Sequence, residues 1–250
     1  MFQEAQNLAG SALSPGQTFH FACKPGLACF NSCCSHKRLP LLPYDLLRLR
    51  RGLSRPSQEI LAELVTLETD PVSGWPALRL SLDERGVCPL LGREGCRVYS
   101  HRPTACRIFP LARAVRPNPL GGPPEEIFLV PDKDPSCLGW GQDRELSLAG
   151  WISDQGLAEH FAAHDRLLNL LAHPARTGRV ALDQRQTHAV IMALYNLDVF
   201  RLMLDQPGFA AKAGLSEAAL ATALQSDEAL LELGESWLAA LLFGSEALKG

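Results

Sequence analysis

Eight cysteines, four of them within twelve residues, are the side chains of this 250-residue chain best suited to do chemistry. Four lie in FACKPGLACFNSCC, residues 21–34, and the last 113 residues of the chain contain no cysteine. Thiols grouped this tightly are bonded to one another, bound to metal or chemically reactive. The full set is Cys23, Cys29, Cys33, Cys34, Cys88, Cys96, Cys106 and Cys137.

Metal binding is the interpretation that the spacing favours. Thiolates select zinc, Cu(I) and iron–sulfur clusters over hard ions such as magnesium. The neighbours Cys33 and Cys34 cannot easily close a disulfide with each other, so their side chains can bind two different centres. Eight thiols complete two four-cysteine sites, or one cluster plus a second metal or redox pair. Buried free cysteines are the alternative, but they are common singly and not in clusters.

The spacing does not separate zinc from iron–sulfur. A structural zinc site usually presents C-x2-C pairs, and this sequence has none, which favours an iron–sulfur cluster such as [4Fe–4S] over zinc. Basic residues near the cysteines would offset the negative charge of a four-thiolate centre, although a solvated basic face explains them equally well. These residues are Lys24, Arg38, Arg97, Arg102 and Arg107.

Composition and charge narrow the expected compartment and partners. The net charge of −3 does not suit a generic polyanion binder, although residues 19–116 carry 15 Lys and Arg against 8 Asp and Glu. The start of the chain lacks the charged and apolar regions of a secretory signal. Apolar runs stay below the ~18–20 residues that span a bilayer. We therefore expect a cytoplasmic, bacterial-type protein with reduced thiols, no membrane partner and no nucleic-acid partner.

The elements that must position the cysteines are short. LPYDLLRLRRGL and SQEILAELV predict two helices, and the alternation in ALRLSLD predicts a half-buried strand. From about residue 146 the period becomes helical, with amphipathic stretches at 154–173, 183–204 and 216–243. The fold class expected is α+β: a loop-rich cysteine domain with short helices and little sheet, then a mainly α-helical region. The expected division is a flexible lead (1–18), a metal-binding domain (19–145) and a helical region (146–250).

Five ordered segments of the chain are similar to the YkgJ-like cysteine cluster family, whose members are described as zinc- or iron-chelating or as containing an iron–sulfur cluster. The segments are FACKPGLACFNSCC, LPYDLLRLRRGL, CPLL with GCRVYSHRPTACRIFPL, SCLGWG and LAGWISDQG. The resemblance implies a metal centre built by all eight cysteines. The first group departs from the compact C-x2-C-x2-CC form of the family by its x5 and x3 spacing. The family implies no particular reaction.

Histidines are weaker candidates for metal ligands. His160 and His164 are four residues apart on one face of a predicted helix, and His36 and His101 lie near cysteines. His36 and His101 are each placed to replace a thiolate ligand, whereas His160 and His164 could bind a metal as a pair, with no obvious third ligand beside them. Partly exposed helical histidines are the competing interpretation for that pair.

The expected function is a cysteine-cluster metalloprotein with an electron-transfer, sensing or structural role. Flagellin lysine N-methylases carry a similar cysteine arrangement, so a cluster-dependent modifying enzyme is an alternative, although the chain shows no methyl-donor loop. A metal-free thiol oxidoreductase is a further alternative and requires a low-pKa exposed cysteine with a resolving partner. The sequence has no dinucleotide-binding fingerprint, phosphate loop or nucleophile elbow. These patterns leave open whether the protein is an enzyme, and they name no protein partner.

Overall fold

Small antiparallel sheets precede a mainly helical C-terminal region, which confirms the α+β prediction. The computed structural model describes residues 10–14, 16–71, 73–116, 124–132, 134–173 and 182–244. The strands are β1 (Gly10–Ala12), β2 (Thr18–His20), β3 (Pro40–Leu41), β4 (Val65–Thr69), β5 (Pro76–Leu80), β6 (Leu91–Gly92), β7 (Gly95–Cys96), β8 (Ala112–Arg116), β9 (Glu125–Pro131) and β10 (Glu145–Ser147). The helices are α1 (Pro43–Leu53), α2 (Ser57–Glu63), α3 (Thr104–Ile108), α4 (Leu148–Asp154), α5 (Leu157–Leu171), α6 (Gln184–Leu194), α7 (Leu197–Leu204), α8 (Phe209–Lys212), α9 (Glu217–Ala223) and α10 (Asp227–Phe243).

The strands pair over long sequence distances. Their orders are β1-β9-β8, β10-β2, β3-β5-β4 and β6-β7, with every pair antiparallel. In β5 the alternation works as predicted, because Leu78 and Leu80 are buried while Arg79 pairs with Glu68 of β4. The pairing of β2 with β10 has the greatest effect on the cysteines. It holds the strand before Cys23 beside the strand that follows Cys137.

The main core joins the first part of the chain to the C-terminal helices. Leu46 and Leu49 of α1 lie in one buried cluster with Phe200 of α7 and with Leu230 and Leu231 of α10. Proline at the first position of α1 suits the helix start, since its missing N–H would have no partner there. One continuous apolar core therefore spans both predicted regions.

A second, smaller core lies behind the first cysteines and is rich in aromatic rings. The ring of Phe21 makes edge contacts with Phe109, Trp140 and Trp151, at centroid distances of 5.6, 5.3 and 6.1 Å. The indole of Trp151 also donates to the Ile108 carbonyl at 3.1 Å. Such edge contacts add to the free energy of apolar burial and fix the orientation of each ring.

The C-terminal helices are shorter than the sequence pattern predicts. The stretch 154–173 breaks at Gly156, whose φ is +58°, and the stretch 183–204 breaks between Leu194 and Leu197. The third stretch ends its first helix at Ala223 and begins α10 after Ser226, whose side chain accepts from the Ala229 amide. Periodicity detects apolar faces well, but it does not register a break of two or three residues between two helices that share a core.

Two observations bear on the predicted boundaries between regions of the chain. Residues 1–9 and 15 of the expected flexible lead lie outside the described residues, whereas residues 10–12 form β1 and pair with β9. Strand β10 crosses the expected boundary between residues 145 and 146. The division of the chain into separate domains stays a prediction.

Within the described residues, no single helix has both the length and the apolar character to cross a membrane. Helices α6 and α7 meet these criteria only as a pair, with a 98° bend between them.

Ion pairs fasten α1 to the C-terminal helices. Arg50 bonds to Asp198 at 2.7 Å and to Asp227 at 2.7 Å, and Arg201 also bonds to Asp227, at 2.9 Å. Asp227 is only 14% exposed at its side chain. Because one carboxylate serves two partly buried guanidinium groups, its loss leaves both of them short of a partner.

We predict that Asp227→Asn lowers the free energy of unfolding by ~1–3 kcal/mol, because two charge-assisted hydrogen bonds weaken. Urea unfolding monitored by circular dichroism measures this loss. The control is Arg85→Gln, which removes an exposed pair with Asp83 and should change stability by less than ~1 kcal/mol. Equal effects of both substitutions would show that α10 is not held by this network.

Glu235 of α10 gives the fold a pH dependence. Burial raises the pKa of its carboxyl from an ordinary 4.5 to about 7 and outweighs the attraction of Arg166, whose Nε lies 2.9 Å from it. The folded protein therefore holds a proton that the unfolded chain releases above pH 4.5, so stability falls as pH rises from about 4.5 to 7 and is level above that.

We predict that Glu235→Gln flattens the fall in unfolding free energy between pH 4.5 and 7. Urea titrations at several pH values measure the slope. Glu232→Gln, on the more exposed carboxylate that also contacts Arg166, is the matched control and should keep the slope. A slope that survives Glu235→Gln would assign the pH dependence to another group.

Candidate metal centre

The cysteines at 23 and 29 lie against the segment that carries Cys137. The amide of Ala22 donates to the Gly139 carbonyl at 3.1 Å, and the amide of Leu138 donates to the sulfur of Cys29 at 3.2 Å. The β2–β10 pairing brings these two segments together. Cys23, Cys29 and Cys137 are thus neighbours although 114 residues separate the first from the last.

Gly139 permits this close approach. A Cβ built at that position would lie 2.6 Å from a ring carbon of Phe21 and 3.2 Å from the Ala22 carbonyl oxygen. The Phe21 ring is 2% exposed and packed among three aromatic rings, so it has no room to move aside. Glycine is therefore the residue type that lets the two segments touch here.

Cys33 and Cys34 lie in a 3₁₀ turn, Ser32–Cys34, which Asn31 begins with a φ of +68°. The chain then pairs with residues 86–88: the amide of His36 donates to the Gly86 carbonyl, and the amide of Cys88 donates to the Cys34 carbonyl at 2.8 Å. This backbone pairing places Cys34 next to Cys88.

Cys96 and Cys106 complete the second half of the site. Cys96 is in β7, paired with Leu91 of β6, and the Leu91 amide donates to the Cys88 carbonyl at 3.0 Å. Cys106 lies in the short helix α3. The hairpin therefore turns Cys96 back toward Cys88.

The electrostatic neighbours of each thiol divide the cysteines into two groups. The charges of Cys29, Cys33 and Cys137 act on Cys23. The charges of Cys33, Cys88 and Cys106 act on Cys34, and those of Cys88 and Cys96 act on Cys106. We name the first group the outer quartet: Cys23, Cys29, Cys33 and Cys137. We name the second group the inner quartet: Cys34, Cys88, Cys96 and Cys106.

Burial and mutual repulsion oppose thiolate formation at Cys23 and Cys137 of the outer quartet, whereas Cys33 differs. The pKa of Cys23 is raised first by burial and then by the charges of its three neighbours. Burial also raises the pKa of Cys137. The pKa of Cys33 is lowered to about 6, mainly because its sulfur accepts a hydrogen bond from the Cys34 thiol.

In the inner quartet the pKa values of Cys34, Cys88 and Cys106 are raised. The hydrogen bond donated to Cys33 is the main cause of the raised pKa of Cys34, followed by burial. Burial raises the pKa of Cys88 and raises that of Cys106 to about 12. Four neighbouring thiolates in such surroundings are stable when a cation neutralises them.

All eight thiols are free, but neither quartet closes around an ion. Among the described residues, no three His, Cys, Asp or Glu side chains converge closely enough to hold a metal directly. Charges act over ~4–6 Å, whereas a zinc–sulfur bond is ~2.3 Å long. The donor types fit a soft metal, and the grouping supplies four donors to each centre. Metal binding then requires the turns to draw inward by a few ångström.

A buried carboxylate positions α3 behind the inner quartet. Asp45 is fully buried and accepts hydrogen bonds from the Thr104 amide at 2.7 Å and from the Thr104 hydroxyl at 2.6 Å. It also accepts from the Leu42 amide at 3.0 Å, while His160 Nδ1 lies 2.8 Å from the same hydroxyl. Asp45 was not among the residues predicted from sequence. The sequence shows Asp45 only as an acidic residue in the first turn of a predicted helix, which does not indicate a buried network.

The histidine candidates have other neighbours. His160 is 3% exposed and takes part in the Asp45–Thr104 network. Burial, followed by the charge of Arg113, lowers the pKa of His164 to about 4. His101 packs against α1, where burial is the first cause of its lowered pKa. The ring of His36 lies against Gly86.

The predicted basic residues have different roles. The charge of Arg102 opposes the rise in the pKa of Cys23 and Cys106 and contributes to the lowered pKa of Cys33, so it acts on both quartets. Its guanidinium stacks on the Tyr99 ring at 3.8 Å and donates to Gln155.

Two other basic residues instead hold the fold together. Arg107 donates to three carbonyls, those of Ser100, Arg102 and Gln155. Arg38 pairs with Glu68.

Comparison with family models gives one match, over residues 22–134, to a family labelled CxxCxxCC and described as "Putative zinc- or iron-chelating domain". The matched range contains seven of the eight cysteines and ends before Cys137. Comparisons with curated proteins and with solved structures found no match. The similarity to a cysteine cluster family is thereby confirmed.

We predict that Gly139→Ala lowers the free energy of unfolding by ~1–3 kcal/mol, because the new methyl group overlaps the packed Phe21 ring. Gly141→Ala is the control: its Cβ would meet nothing within 4 Å, and we expect a change below ~1 kcal/mol. Urea unfolding of the metal-free, reduced protein compares the two. Equal stability of both variants would contradict the close contact between these segments.

Proposed function

We propose that the chain is a metalloprotein with two four-thiolate centres, a proposal supported by the match of residues 22–134 to the CxxCxxCC family model. The outer quartet would hold one centre and the inner quartet the other. This uses all eight cysteines, including Cys137, which lies beyond the family match.

The observation that carries this proposal is the difference in thiol neighbours between two consecutive residues. Cys33 acts on Cys23 and Cys137, whereas Cys34 is close to Cys88 and Cys106. The sulfurs of Cys33 and Cys34 share a hydrogen bond, so the two proposed centres would adjoin at this pair.

Iron–sulfur is the cofactor we favour, with zinc as the alternative. The absence of C-x2-C pairs supports this choice. The Arg102 charge between the quartets supports it further, since nearby charge and hydrogen bonds tune a cluster. When bound, an iron–sulfur cluster would supply one-electron transfer, and zinc would supply a structural cross-link. The chain's own residues supply the ligands, the offsetting charge and the aromatic packing behind Cys23.

The proposed role is electron transfer, sensing or structural support in a cytoplasmic protein, because free thiols persist where disulfides are rare. A metal-free thiol oxidoreductase remains the alternative that the metal measurement below distinguishes. A cluster-dependent modifying enzyme would need a bound methyl donor or other co-substrate, and the same preparation can be tested for one.

We predict that the chain, purified anaerobically, carries about two zinc ions, or about eight irons with eight sulfides as two [4Fe–4S] clusters. Elemental analysis, sulfide determination and an absorption spectrum measure this content. Cys33→Ser and Cys34→Ser should each reduce the metal content by about half, because each removes a ligand from one centre.

The control for these variants is Ser32→Ala in the same turn, which should keep the full content. Loss of all metal in either cysteine variant would indicate one shared centre. A metal-free wild-type protein with eight titratable thiols would contradict the proposed function and support thiol chemistry instead.

A further inference from the structure

The two quartets differ in their exposure to solvent. In the outer quartet Cys23 and Cys33 are exposed, and the other two thiols are half-buried. In the inner quartet no cysteine is exposed, and Cys88 is 8% exposed. An external ligand can therefore approach two of the outer cysteines directly, whereas none of the inner cysteines is exposed.

The quartets also differ in how the fold supports them. Cys88 is a member of the main core, and Cys34 and Cys96 pack against that core. Cys23, Cys29 and Cys33 precede or lie in turns, and Cys137 packs against the smaller aromatic core. Local opening of the inner quartet would disturb the main core, while opening of the outer quartet would disturb surface turns and the edge of the smaller core.

The Asp45 network adds a second restraint to the inner quartet alone. Asp45 fixes Thr104, and Thr104 begins the helix that carries Cys106. His160 of α5 closes the network from the other side. Groups that orient metal ligands from behind usually change metal affinity when they are removed.

We infer that the outer quartet is a metal-exchange site, which takes up and hands over a thiophilic ion, while the inner quartet retains its metal. The inference rests on the two centres of the proposed function. In the exchange, each outer metal–sulfur bond that breaks is replaced by a bond from the acceptor's ligand. The ion leaves with its charge unchanged, and the freed thiolates take protons from water.

Zinc alone serves as the probe, on the reduced full-length chain loaded with two zinc ions. EDTA is added together with iodoacetamide, and mass spectrometry follows alkylation of each cysteine over time. We expect one zinc to leave as the outer cysteines become alkylated. The second zinc and the inner cysteines should follow at least about 10-fold more slowly.

A variant pair tests the support of the inner quartet. Thr104→Val removes the hydroxyl between Asp45 and His160, and we expect the slow phase to accelerate by about 10-fold with the fast phase unchanged. Thr104→Ser keeps the hydroxyl and should keep both rates. Because the labelling order is measured in the wild-type chain, the inference does not depend on any variant folding.

The outcomes separate the two proposals. Loading of two zinc ions with simultaneous labelling of all eight cysteines, or with the inner quartet labelled first, would overturn the exchange inference and leave the two centres intact. Failure to load two zinc ions would overturn the exchange inference, and it would overturn the proposed function as well if the anaerobic preparation also lacks iron and sulfide. Two phases with the outer quartet labelled first support the exchange site.

Discussion

The buried carboxylate of Asp45 is the constraint on which the cysteine site depends. A fully buried carboxylate is costly unless hydrogen bonds satisfy it, and here two backbone amides and one hydroxyl do so. Those donors belong to the start of α1 and to the start of α3, and His160 of α5 joins through the hydroxyl of Thr104. Three helices distant in sequence are thereby fixed relative to one another. The position of Cys106 follows from this arrangement, and with it the position of the inner quartet against the main core.

Charge links the two quartets. The basic excess of residues 19–116 is not spread evenly, because several arginines there pair with carboxylates or carbonyls of the fold, as Arg50 and Arg107 do. Arg102 instead acts on thiols of both quartets. A zinc held by four thiolates carries about two negative charges, so two loaded centres favour a shared cation between them. In this arrangement the basic excess of residues 19–116 has a local electrostatic role that does not involve nucleic acid.

Much of the fold could be predicted, because several helices and strands have clear local sequence patterns. Helix α1 follows from Pro43 and its apolar spacing, and β5 follows from alternation. The sequence also allowed Cys33 and Cys34 to bind different centres. It could not assign the quartets, because Cys137 reaches Cys29 only through the pairing of β2 with β10, and short-range spacing carries no information about such long-range contacts. Asp45 was missed for a similar reason: its partner Thr104 is 59 residues away, and an acidic residue in a first turn usually serves only its own helix.

The placement of Cys137 has a consequence for biosynthesis. A chain is made from its N-terminus, and its segments become available for folding in that order. The four sulfur ligands of the inner quartet are all synthesised by Cys106, whereas the outer quartet waits for Cys137, 31 residues later, and for the strand β10 that holds this segment in place. A nascent chain can therefore offer a complete set of inner ligands while the outer set still lacks its last member. The order of translation would therefore separate the two proposed centres in time.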